Sequence, residues 1–483
     1  MVNFHIFVKL VSLMKKWYNL TIQNALTNMH PVGAYLSDEK KYQKYLFLLR
    51  GFNVNKFFYL IVTLIFIVSF ILRFILARNA PLTQDEKETI VISKSICVIS
   101  DNINLPYRDS LTPHPLLTPY LIKAGESIWG NNVYGFRFFS FITGILATIF
   151  IFLLSTETIG KRAGIIALVL SSFNLYHLGR SLMAVDDVIM LFFAILSIYT
   201  LVKAIRNEAY SLLVWCGISL GLGYLADMKI ALLIPIIMVY LVIYRRNIFK
   251  KKEVYIMLLI PISIISFDAY WQMSYENIVK MKLWTNISEI SISRTGINFY
   301  LIRPISYILD IDYRTTISWE KPTMSFLDGI VIIMGVIYSF KNWKDKIIRF
   351  MLMVFLFPVG LISLFPKGEF WWSGISLWPG IYLASLALSE LWRRKRVYKY
   401  CIFVLLIMLV GQSFWFLAGI KELNIPPNRY GLYVDYDMDL MKWYFEKGLL
   451  DEAIAEAREA LKICPNELRI NNFLQKCLLI KRK

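Results

Sequence analysis

The sequence is poor in the residues that carry most soluble chemistry. It has 4 histidines and 5 cysteines in 483 residues, and only 18% of its residues are charged. The cysteines (Cys97, Cys216, Cys401, Cys464 and Cys477) form no CxxC pair and no Cys/His cluster, which argues against zinc. Cys216 and Cys401 lie in apolar runs and read as small core residues. There is no Walker A, dinucleotide-binding or zinc-protease pattern, so cytoplasmic ATP is not indicated as an energy source. The opening "HIFVKLVSLM" is short and has no small-residue cleavage site after it, so no cleavable signal peptide is expected.

Apolar residues dominate what is present, at 57% of the chain. They fall in runs near 57–76, 133–154, 162–178, 186–204, 211–226, 229–244, 254–272, 326–340, 347–365, 373–391 and 400–420. Runs of about 20 apolar residues read as membrane spans. Backbone groups in lipid must bond within their own segment, so the expected fold is all-α, with about eleven transmembrane helices. The net charge of +19 follows from basic loops rather than from nucleic-acid binding. "GKR" at 160–162, "YRRNIFKKKE" at 244–253, "KNWKDKIIR" at 341–349 and "WRRKRVYK" at 392–399 all fall on one side if the spans alternate. The positive-inside rule makes that side cytoplasmic, together with the N-terminus.

Three regions follow: a basic cytoplasmic segment over 1–56, a membrane domain over 57–420, and a polar extracytoplasmic tail over 421–483. Part of 1–56 could lie on the membrane surface. The outer face receives the first loop 77–132, the turns near Asp186 and Asp227–Lys229, the large loop 273–325, and "FPKGEFWW". The first loop is too long for a connector and reads as two interfacial helices on the outer leaflet. Ile90, Ile92, Ile96 and Ile99 are its membrane-facing stripe.

Every polar feature of chemical interest falls on this outer side. "LTQDEKETI" sets Asp85 and Glu86 side by side just after the first run. They could cap the following helix, or one could be a general base while the other orients a partner. "GRSLMAVDDVIM" places Arg180, Asp186 and Asp187 at the lips of two consecutive runs, and "YLADMKIALLIP" places Asp227 and Lys229 in a tight turn. These read either as cap and snorkelling residues or as the wall of a wet cavity. Arg137, His114, Lys367, Arg294 and Arg303 add dispersed cations to the same face. Trp371 and Trp372 read as ordinary belt residues. A base plus several cations suits a reaction with a phosphate leaving group.

Taken in order, these residues resemble the GT-C class of polyprenyl-phosphate-sugar-dependent glycosyltransferases. Within that class they are similar to protein-mannosyltransferase-like and aminoarabinose-transferase-like enzymes. The resemblance rests on Asp85-Glu86, "PHPLLTPYLIKAGESIWG", "YGFRFFSFITGILATIFIFLL", "KRAGIIALVLSSFNLYHLGRSLMAVDDVIMLFF" and "GISLGLGYLADMKIALLIP". It implies an outer cavity, a sugar donor on a polyprenyl monophosphate, and inverting attack by an acceptor hydroxyl. By position it implies Asp85 as the base, with Glu86 beside it. It also implies phosphate or site support from Arg137 and an acid at Asp186 or Asp187. Lys367 corresponds to a late lysine that meets the lipid phosphate, but "GEFWWSGISLWP" replaces the family's usual tyrosine and Leu-Pro there. No cofactor is required on this reading, although the carboxylates could hold a divalent cation weakly. The partners are the lipid-linked sugar, the bilayer, and an acceptor protein, lipid or glycan. The implied location is a bacterial inner membrane.

The tail differs in kind. In "WYFEKGLLDEAIAEAREALKICPNE", Tyr444, Gly448, Ala453, Ala460 and Pro465 fall at tetratricopeptide spacing. A helical hairpin is expected, close-packed through Ala453, Ala457 and Ala460, and offering a docking surface for acceptor or partner. Rival readings are a lipid-linked sugar flippase or other transporter, an O-antigen polymerase or ligase, and a non-catalytic scaffold presenting the repeat. A transporter would call for mid-span charges and inverted halves. A polymerase or ligase would place its basic residues in one large late loop, whereas the acids here come early.

Overall fold

Each apolar run is largely helical over its described residues in the computed structural model of the chain. The structure describes residues 54–79, 82–83, 86–87, 89–90, 93, 117–274, 325–363, 374–418, 438, 441–442, 444–446, 448–463 and 467–482. The helices are α1 (Val54–Asn79), α2 (Leu117–Trp129), α3 (Val133–Thr158), α4 (Lys161–Phe173), α5 (Leu175–Arg180), α6 (Asp186–Asn207), α7 (Ser211–Ala226), α8 (Leu233–Tyr244), α9 (Lys252–Ser274), α10 (Phe326–Lys341), α11 (Lys346–Ser363), α12 (Leu377–Arg394), α13 (Arg396–Ala418), α14 (Leu450–Ile463) and α15 (Leu468–Lys481). No strand occurs among the described residues. Among the described residues, four helices are long and apolar enough to cross a membrane: Phe58–Ile75, Val133–Thr158, Asp186–Asn207 and Arg396–Phe414. Shorter apolar helices occupy Ser211–Ala226 and Met228–Tyr244. The chain divides within α1 into Met1–Ile61, of which only the opening turns of α1 are described, and Val62–Lys483.

Within Val62–Lys483, α3, α4, α6 and α12 form the centre of the bundle. Trp378 on α12 is fully buried and donates its indole N–H to the Leu191 carbonyl of α6 at 2.7 Å. Facing outward are Leu64, Ile71 and Phe74 of α1, Leu259 and Phe267 of α9, and Phe403 and Ile407 of α13. Apolar exposure on this scale is stable against lipid but not against water. The chain is a multi-pass membrane protein.

Two polar residues break helices where the hydropathy pattern runs on. The 162–178 run is split at Asn174, which ends α4 and accepts the His177 amide at 3.0 Å to start α5. The 229–244 run opens with a 3-10 turn, Met228–Leu232, capped by Asp227. Short side chains that bond their own backbone make good helix boundaries even in apolar surroundings.

α2 packs on α3 across two glycines. An ideal Cβ on Gly125 would lie 2.2 Å from the Gly135 carbonyl oxygen. Gly130, at φ +87°, turns the chain between the two helices, and Asn132 caps α3 by accepting the Tyr134 and Gly135 amides. Gly125→Ala should therefore force the two backbones apart and destabilise the protein by about 1–3 kcal/mol, the usual cost of overpacking. Thermal unfolding in detergent checks this; an unchanged midpoint would show that the contact can relax. The expected pair of surface-lying helices in 77–132 changes in part: α2 is docked on α3, with Ile122 buried and Ile128 and Trp129 exposed. Ile90 is fully buried against the C-terminal tail rather than facing lipid.

Candidate functional site

The acidic stretch after α1 contains a capping box. Thr83 accepts the Glu86 amide through its hydroxyl at 3.3 Å, and Glu86 accepts the Thr83 amide at 2.9 Å. This is the S/T-x-x-E arrangement that opens a helix. Glu86, Lys87, Thr89, Ile90 and Ser93 are helical. Asp85 lies outside the described residues, as do His114, Arg294, Arg303 and Lys367.

Glu86 does more than cap. It has no accessible surface and meets Arg137 in a two-pronged ion pair, with Nε to Oε1 at 2.6 Å and Nη2 to Oε2 at 2.8 Å. Arg137 Nη1 also donates to the Ala77 carbonyl at 2.8 Å, fastening the end of α1 to the start of α3. The Ala184 amide donates to Glu86 Oε1 at 2.8 Å. Both carboxylate oxygens thus accept two donors each within the protein. Glu86 and Arg137 thereby join the first loop to the end of α1 and the start of α3.

A second charged cluster joins three separate segments. Arg180 Nη1 lies 3.2 Å from Asp187 Oδ2, and Lys229 Nζ lies 2.9 Å from Asp187 Oδ1 and 2.6 Å from Asp227 Oδ2. Asp227 also accepts the Lys229 amide at 3.0 Å. Burial pushes the Asp227 carboxyl above its ordinary range, and the Lys229 ammonium opposes that rise. Asp187 and Arg180 are buried, while Asp186 and Lys229 are partly open. The Asp227–Lys229 turn is therefore an ion-paired part of the cluster and not a snorkelling exposed turn.

The two clusters share one segment, Ser181–Val185, which leads from Arg180 to Asp186 and is buried throughout. Ala184 meets Glu86, and Ser181 Oγ accepts the Nε–H of Arg73 at 2.9 Å. Arg73 is a fully buried cation in α1, bonded also to the Ser172 carbonyl and contacting His177 Nδ1 at 3.3 Å. Neither Arg73 nor the meeting of Asp227 with Asp187 stands out in the sequence. Arg73 is one cation in an apolar run, and Asp227 is 40 positions from its neighbour.

Oxygens of Asp186, Asp187 and Asp227 lie within 4.8 Å of one another, which raises the question of a divalent ion. The residues do not fit one. Lys229 Nζ already contacts two of the three carboxylates, and Arg180 holds Asp187 from another side. An added dication would face an ammonium at the same oxygens.

Residues 113–271, which carry α2 through α9 and most of this charge, match the family model described as dolichyl-phosphate-mannose-protein mannosyltransferase. The architecture is similar to that of ArnT from Cupriavidus metallidurans in the apo state, at a TM-score of 0.54 and 13% identity, covering 86% of this chain and 75% of that one. The chain has the GT-C glycosyltransferase fold. The same ArnT bound to undecaprenyl phosphate aligns at a TM-score of 0.54 and 14% identity, over 86% of this chain and 74% of that one. The archaeal oligosaccharyltransferase AglB from Archaeoglobus fulgidus, in complex with an inhibitory peptide and a dolichol-phosphate, aligns at a TM-score of 0.49 and 14% identity, over 81% of this chain and 59% of that one. No curated protein sequence matches.

Proposed function

We propose that this protein transfers a sugar from a polyprenyl-phosphate donor to an acceptor hydroxyl at the outer face of the membrane. The observation that carries this reading is the mannosyltransferase family match over the segment holding Arg137, Arg180, Asp187, Asp227 and Lys229. The undecaprenyl phosphate bound to ArnT supports a lipid-phosphate donor.

Asp85 is the general base in this reading. Its neighbour Glu86 is already committed to Arg137, Thr83 and Ala184. The acceptor O–H proton passes to the Asp85 carboxylate while the acceptor oxygen attacks the anomeric carbon. The bond from that carbon to the donor phosphate oxygen breaks, and the lipid phosphate leaves with the electron pair. Attack from the face opposite the phosphate inverts the anomeric centre. Negative charge grows on the departing phosphate, where cations act most strongly. Lys229 is the partly open cation of the described site; Lys367, Arg294, Arg303 and His114 are proposed to join it from the loops. Asp186, partly open beside Asp187, is proposed to orient the sugar or acceptor.

Mass analysis of the purified protein should detect a bound polyprenyl-phosphate sugar, and vesicles supplied with that lipid should yield a glycosylated acceptor. A protein that binds the lipid and moves it between leaflets without transferring the sugar is a transporter, and that result would overturn the proposal.

A further inference from the structure

The C-terminal hairpin packs on the segment that carries the acids. α14 and α15 pack on each other, with Ala453, Ala457, Ala460, Ile470 and Cys477 buried between and beneath them. The lower surface of the hairpin continues into a cluster made by Tyr444, Ala453, Ile454 and Cys477 with Ile90, Ile122, Phe136 and Ala184. Ile90 is four residues past Glu86, Phe136 is next to Arg137, and Ala184 donates its amide to Glu86. The hairpin thus shares one apolar cluster with all three segments that meet at the Glu86 carboxylate.

An ion pair runs across the same contact. Lys87 Nζ lies 3.2 Å from Glu456 Oε1, with side-chain exposures of 5% and 15%. A buried charge pair holds orientation because removing either charge leaves the other unsolvated. Lys87 is adjacent in sequence to Glu86 and two residues from Asp85, so fixing Lys87 constrains the helical turn that carries Glu86.

We propose that the hairpin is a positioning clamp for the first-loop acids, with Lys87, Glu456 and Ile90 as positioning residues. This rests on the assignment of Asp85 as base for its activity arm only. The clamp does not bind the donor. Loosening it lowers turnover by misplacing the base, and leaves affinity for the lipid phosphate intact. A misplacement of about 1 Å at a reacting group is enough for a large loss of rate.

The test is charge exchange in the full-length protein in detergent or vesicles. Lys87→Glu and Glu456→Lys are made singly and together, with Glu456→Gln as the milder variant. Amide hydrogen exchange over residues 86–93 and steady-state kinetics with a polyprenyl-phosphate sugar are measured on each. We expect faster exchange in the single variants, recovery in the exchanged pair, and a tenfold or larger fall in kcat with donor KM within twofold of the parent. Rescue of kcat by the exchanged pair distinguishes positioning from general damage. Unchanged exchange in the single variants overturns the clamp. Altered exchange with unchanged kcat overturns the positioning role. A parent protein that shows no transfer overturns the activity reading and the positioning role with it, while the exchange data still decide whether the contact holds the segment.

Discussion

Asp85→Asn should abolish sugar transfer and leave the lipid donor bound. Amide for carboxylate keeps size and shape but removes the proton acceptor. General-base catalysis contributes roughly 10²–10⁴-fold to rate, so kcat should fall by about that factor. Donor KM should change little, because the proposed mechanism assigns the leaving phosphate to cations elsewhere. Glu86 cannot substitute, since Arg137 and the Ala184 amide occupy its oxygens. Glu86→Gln should behave differently: protein yield and thermal stability fall together with activity, because the exchanged group faces a buried guanidinium. Transfer at the parental rate in Asp85→Asn would sink the general-base assignment. The same variant separates enzyme from transporter, since a transporter would still move its lipid.

The second large effect is on stability. Arg137→Ala strands the Glu86 carboxylate in a site with no accessible surface and releases the Ala77 carbonyl. Breaking a buried pair by removing one partner costs about 3–5 kcal/mol. That is a substantial part of the total stability of an ordinary folded domain. Arg137→Lys should recover only part of it, because an ammonium cannot reproduce the two-pronged geometry. The double variant Glu86→Ala, Arg137→Ala should cost less than the sum of the single changes, since each removes the other's stranded charge. Denaturant or thermal unfolding in detergent measures all four. Strict additivity would mean that the ion pair does not couple α3 to the first loop.

Much of the fold was legible because hydropathy is local. The runs at 57–76, 133–154 and 326–340 sit within α1, α3 and α10. The breaks at Asn174 and Asp227 were not legible, because a single polar residue in an apolar run reads as noise unless its backbone bonds are known. The site was legible as a set of residues and not as a set of pairs. "TQDE" matches a capping box as well as it matches a catalytic acid, and only the 51-residue reach to Arg137 shows that Glu86 is engaged. Arg180, Asp187 and Lys229 stood out as charges at the ends of apolar runs, but no period in the sequence brings position 229 to position 187. Lys87 and Glu456 gave no signal at all, because a lysine in a charged loop and a glutamate on a polar helix look solvated until the two are seen face to face.

Ser181–Val185 is buried chain outside the regular helices, in a protein surrounded by lipid. The Ser181, Leu182 and Met183 amides still reach back to carbonyls of α5, but the Ala184 amide takes its partner from a side chain, as buried backbone in a membrane protein must when its own helix has ended. Glu86 therefore serves the Ala184 amide in the role that a water molecule would have in a soluble protein, while Arg73 donates to the Ser181 hydroxyl. Before any substrate arrives, these charges are the local solvent of a strand of chain that ends at Asp186. An acid removed from this region changes what dissolves the backbone as well as what performs the chemistry.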